Sequence, residues 1–120
     1  MKYLIITENQ NQGFVESLLV SAGAYGSENA VRTPDLLSMS GIRDKRGLQH
    51  LIEKERSAGA VICSKCRSGG GYYLPSSKSE IVDYERTLTS RALGTLRSLR
   101  SARRALKIMD GQTQLDEGEV

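Results

Sequence analysis

The stretch that most constrains the fold is "TPDLLSMSGIRDKRGLQHLIEKERSAG", residues 33–59, because its own punctuation cuts it into two short helices. Thr33 is placed to cap the first helix. Pro34 then falls at the first helical position, where its missing N–H costs little, and Asp35 suits the positive helix end. Leu36, Leu37 and Met39 supply a buried side. Gly41 ends the helix at positive φ and Ile42 turns back towards the core. Asp44 is the expected cap of the second helix, which runs to Gly59 with Leu48, Leu51 and Ile52 as its apolar stripe and Glu55 and Arg56 continuing the turn. Arg43, Lys45, Arg46, Gln49, His50 and Lys54 fall largely off that stripe. Gly47 is costly inside a helix, so it either shifts the helix boundary or admits a partner's backbone. Two helices joined by a short Gly-containing turn make a helix-turn-helix, whose second helix normally enters the DNA major groove. Any αα-hairpin gives the same pattern.

The next segment, "VICSKCRSGGGYYLP", holds both cysteines and three consecutive glycines. Its two apolar runs flank a polar, basic, Gly-rich centre, which is the composition of a β-hairpin half-buried through Val61, Cys63, Tyr72 and Leu74. Lys65 and Arg67 sit at its tip, where they can meet phosphates or the minor groove. Cys63 and Cys66 have C-x-x-C spacing, but a structural zinc site wants four ligands and the chain adds only His50. A redox motif would lead into a helix, and a phosphate loop would carry Gly-Lys-Ser/Thr before one; neither follows here. Cys63 is therefore read as a small buried hydrophobe and Cys66 as an exposed thiol, with no metal and no cofactor.

Elsewhere a short strand is expected at Lys2–Thr7 and an amphipathic helix through Phe14, Val15, Leu18, Leu19 and Ala22, stopped by Gly23. "AVR" at residues 30–32 reads as a bridging strand. "SSKSEIVDYERTLTSRALGTLRSLRSARRALKIM" starts with a capping-box pattern, Ser77 with Glu80, and reads as one long helix. Ile81, Leu88, Ala92, Leu99, Ala102 and Leu106 follow a 4–3 spacing, with Leu93 and Leu96 widening the stripe. Arg97, Arg100, Arg104 and Lys107 line another side, either as phosphate contacts or as the solubilising face of a paired helix. The tail 110–120 lacks apolar periodicity and is expected to be disordered.

At 120 residues, with no Trp and one Phe, the chain suits one domain of small helices packed on short strands. The expected organisation is a helix-turn-helix unit with its hairpin over 1–75, a basic helix over 76–109 and the acidic tail. The start of the chain is read as neither signal peptide nor membrane span, which fits a soluble, cytoplasmic protein. Its net charge of +3 is sorted: residues 31–75 hold eight basic against four acidic groups, residues 76–108 eight against three, and residues 109–120 none against four. Basic groups concentrated in two segments suit a polyanionic partner.

In order and spacing, "TPDLLSMSGI", "LIEKER" ending at Gly, "ICS" and then "GGYYL" resemble the winged helix-turn-helix proteins of Gram-positive phages and prophages. The likeness covers roughly residues 30–75, and this sequence departs from the simple pattern at Gly47 and Cys66. It implies a winged helix-turn-helix, which together with the long C-terminal helix read from the residues gives an α+β, mainly α fold. It also implies double-stranded DNA as partner, with Arg43, Lys45, Arg46, Gln49 and His50 facing the groove and Lys65 and Arg67 on the wing. A transcription regulator acting as a homodimer through the long helix is the expected function. The alternative is a phage-encoded protein that turns the same scaffold on a host protein or ribonucleoprotein, such as an anti-CRISPR, because fold does not fix function. A third role is origin binding in phage replication. No pair of carboxylates, nucleophile elbow or metal set suggests an enzyme, and His50 lies on an exposed helix face.

Overall fold

The computed structural model describes residues 12–66 and 70–119, with side chains through residue 111. The strand expected at Lys2–Thr7 and the tip residue Arg67 lie outside the described residues. The fold is α+β and mainly helical: α1 (Phe14–Ser21), a turn of 3-10 helix (Ser27–Asn29), α2 (Thr33–Ser40), α3 (Lys45–Ser57), β1 (Cys63–Ser64), β2 (Tyr72–Tyr73) and α4 (Lys78–Glu119). The chain divides into two units, Met1–Tyr84 and Glu85–Val120.

In the first unit, three short helices and a hairpin share one core. Val15 and Leu19 of α1, Leu36 of α2, Leu48 and Ile52 of α3, and Ile62, Tyr72 and Leu74 of the hairpin region are all buried in it. An eight-residue helix such as α1 does not persist alone in water, so its stability comes from this packing and from its ends. The N-terminal end is held by Glu55 of α3. Its carboxylate accepts from the Val15 amide at 2.8 Å and the Glu16 amide at 2.9 Å, satisfying two donors that the first turn leaves open. Gly13 makes this possible, since a Cβ there would collide with the Glu55 carboxyl.

The start of α2 is one residue earlier than the capping reading expects. Arg32 is the N-cap residue, Thr33 is already helical, and no side chain caps the end. Pro34 still falls in the first turn, where no intrahelical N–H bond is lost. Leu36 is buried, but Met39 is 43% exposed and lies off the core face. Gly41 closes the helix at φ 73°. Asp44 then caps α3, accepting from the Gly47 amide at 2.8 Å. Gly47 is therefore in the first turn, where a Cβ would press within 3.2 Å of both Asp44 Oδ1 and Ile42 Cγ2.

The hairpin pairs Cys63 with Tyr73 and Ser64 with Tyr72, antiparallel, and Lys65 N–H extends it to Gly71 O at 2.8 Å. Of the bridging strand expected at residues 30–32, a single isolated bridge forms. Val31 makes an antiparallel bridge to Tyr72, with both amides donating at 2.9 Å. Tyr25 bridges Leu74 in the parallel sense. Residues preceding α2 are thereby tied to the hairpin that follows α3.

Glu80 anchors the beginning of α4. One carboxylate oxygen accepts from the Ser76 amide (2.9 Å) and hydroxyl (3.0 Å), the other from the Ser27 amide (2.8 Å). Its own amide donates to Ser77 Oγ at 3.3 Å, which is half of the expected capping box. Partial burial pulls the Glu80 pKa upward, but the Ser76 and Ser27 donors outweigh it and hold the carboxyl below its ordinary value. Arg56 donates to Ile62 O, at 2.8 Å from Nε, and lies 5.2 Å from the centroid of the Tyr84 ring. These ties explain why the first unit closes at Tyr84, inside the long helix, and not at residue 75.

The backbone stays helical to Glu119, past the boundary expected at residue 109. Missing apolar periodicity reports a missing packing face, whereas helical hydrogen bonds are local to the segment. Among the described residues, no helix is long and apolar enough to cross a membrane.

Candidate functional site

The turn between α2 and α3 and the first two turns of α3 bring most of the sequence-derived candidates together. Arg43, Lys45, Arg46, Gln49 and His50 are all exposed. The amphipathic pattern enforces this: Leu48 and Ile52 turn inward with Leu51 packed partly against the same core, so the residues off that stripe turn out. Asp44, Arg46, Gly47, Gln49, His50 and Glu53 line a shallow depression on this surface. The face offers fixed cations at Arg43, Lys45 and Arg46, amide and imidazole groups for base edges or a peptide, and two carboxylates. Arg can read guanine in bidentate fashion and Gln can read adenine.

The hairpin contributes differently from its sequence reading. Lys65 is half-buried and its ammonium donates to Ser27 O at 3.3 Å. This contact ties the hairpin to the 3-10 turn. Cys66 is exposed and Cys63 is buried, both as free thiols. Burial, with the Glu80 charge adding and Arg56 opposing, pushes the Cys63 thiol up to about 12. It therefore behaves as a small hydrophobe and not as a ligand or nucleophile. Among the described residues no group of three or more His, Cys, Asp or Glu side chains is arranged to hold a metal.

A second charged surface lies on α4, where Arg100, Arg103, Arg104 and Lys107 gather beside Leu106 and Asp110. Arg97, Arg100, Arg104 and Lys107 are exposed, as the spacing predicts. Sequence reasoning gave Glu55 and Arg56 only as continuing the turn of α3 and missed the long-range bonds by which they hold the unit together. No family model matches the chain, and comparison with curated proteins and with solved structures gives no match.

Proposed function

We propose that the first unit is a winged helix-turn-helix and that the protein binds double-stranded DNA in a sequence-specific way, as a dimeric transcription regulator. The observation that carries this reading is the order of elements around one exposed basic face. A bridge at Val31, α2, a Gly-containing turn, α3 and a hairpin follow one another, the hairpin pairs back onto Val31, and the turn and α3 together present Arg43, Lys45, Arg46, Gln49 and His50 to solvent. In this reading the N-terminal half of α3 enters the major groove. Arg46, Gln49 and His50 meet base edges, while Arg43 and Lys45 set register on the phosphates. Lys65 fixes the hairpin, leaving the tip with Arg67 to reach the flanking backbone.

A second reading is favoured by Asp44 and Glu53, which stand among the cations at the depression on α3. Carboxylates there oppose phosphates and suit the basic groups of a protein or ribonucleoprotein. Selection from a randomised duplex library, together with the protein's own upstream region, at two salt concentrations separates the two. A recovered palindromic motif supports the regulator. Retention without a motif supports architectural or replication binding, and no retention at low salt transfers the function to a protein partner.

A further inference from the structure

Within Glu85–Glu119, α4 carries a seam at a sustained 4–3 spacing: Leu88, Ala92, Thr95, Leu99, Ala102, Leu106 and Met109. All of these side chains are exposed, Leu99 by 41% and Leu106 by 62%. At 100° per residue they share one stripe, and no charged residue belongs to it. Arg97, Arg100, Arg104 and Lys107 fall on the opposite side. A heptad seam of this kind is covered by another helix, and the sizes of its residues specify which one.

From Ala92 to Met109 the seam reads small, small, large, small, large, large. Read backwards with large and small exchanged, it is the same sequence. An antiparallel copy centred between Leu99 and Ala102 therefore sets a large residue against a small one in every layer: Leu99 against the partner's Ala102, Leu106 against the partner's Thr95, and Met109 against the partner's Ala92. Layers of even thickness let the helices approach closely along their length, as native packing density requires. Parallel pairing would instead stack Ala92, Thr95 and Ala102 on themselves and Leu99 and Leu106 on themselves, alternating voids with crowding. Because the size pattern is its own complement, the occupant is a second copy of this chain in a two-fold, isologous contact.

We propose that α4 self-associates as an antiparallel pair with Leu99 packed on the partner's Ala102. This deepens the dimer invoked for the regulator and fixes its orientation and register. The cations lie opposite the seam, so the pair carries two basic outer faces at the same height along the helices.

The test measures spin-label distances in the full-length protein without DNA, so its outcome is independent of whether DNA is bound. Cys66→Ser removes the exposed native thiol, and labels go on Ser90→Cys or Ser101→Cys, both of which point away from the seam. An antiparallel pair centred between Leu99 and Ala102 places the two labels at residue 101 almost level. The two at residue 90 lie about 30 Å apart along the axis, at 1.5 Å per residue. Equal distances at the two sites mean a parallel pair and overturn the proposal, as does the absence of inter-chain coupling at tens of micromolar protein. Leu99→Glu, an exposed position whose change leaves the fold intact, must abolish the coupling and give a monomer in sedimentation. A dimer that persists in Leu99→Glu also overturns it.

Discussion

Glu55 shows how a single side chain converts sequence into fold. The residue is 7% exposed, and its carboxylate spends both oxygens on the Val15 and Glu16 amides, 40 and 39 residues away in the chain. Glu55→Ala leaves two buried N–H groups without acceptors, and the expected loss is about 2 kcal/mol in urea denaturation, from the penalty for unsatisfied buried donors. Glu55→Gln keeps one acceptor oxygen and should lose clearly less. Equal losses would mean that packing and not the hydrogen bonds sets the value of this residue. Three residues after Ile52 and four after Leu51, Glu55 falls in line with the apolar stripe, but its role is illegible in sequence because the amides it accepts from come with the long-range approach of α1. The cysteines, in contrast, follow their local pattern. Cys63 is buried next to Ile62 in the apolar run that starts the hairpin, and Cys66 lies beyond the paired residues. At pH 8 Cys63, with its pKa raised to about 12, stays a thiol. An aromatic disulfide reagent should therefore titrate one thiol per chain in the native protein and two in denaturant. Two fast thiols in the native state would contradict the burial of Cys63.

At the scale of elements, most of what the sequence states through local chemistry is where the structure has it, the Thr33 cap excepted. The Gly41 stop, the Asp44 cap and the hairpin all depend on a few neighbouring residues, and each forms, while the strand expected around Val31 is reduced to one bridge. Readings that depend on distant partners do less well. Met39 shares a helix face with no core wall behind it, Lys65 finds Ser27 instead of solvent, and the last turns of α4 persist without an apolar stripe. Gly71 is where the hairpin meets the bridging strand most tightly. Its φ is 124°, a region that L-residues avoid, and a Cβ would sit 2.6 Å from Val31 O, the acceptor of the Tyr72 amide. Gly71→Ala must therefore both strain the backbone and push the Val31 bridge apart, at about 2–3 kcal/mol. Gly23, also at positive φ but with nothing within 4 Å, is the control. Alanine there carries only the conformational term, near 1 kcal/mol. Similar losses at the two sites would show that the close approach at Gly71 is relieved without disturbing the bridge.

For the whole molecule, the sorted charge raises a question that neither unit answers alone: whether the cations of α4 act on nucleic acid or keep a paired helix in solution. The two roles differ in salt dependence. A cation that neutralises a phosphate releases a counterion, so each such contact contributes about 0.9 to the slope of log affinity against log salt, whatever the base sequence. A solubilising cation contributes nothing. Arg100 and Arg104 lie opposite the seam and are exposed, so their replacement leaves pairing untouched. If one outer face of the pair tracks a duplex, Arg100→Ala/Arg104→Ala should lower the slope by about 2 and weaken all sequences alike, with the selected motif unchanged. Arg46→Ala, on the face proposed to read bases, should do the reverse, relaxing preference at one position of each half-site with little change in slope. A double variant with the parental slope would assign the basic face of α4 to solubility and leave the α3 surface, with the hairpin tip, as the whole of the DNA contact.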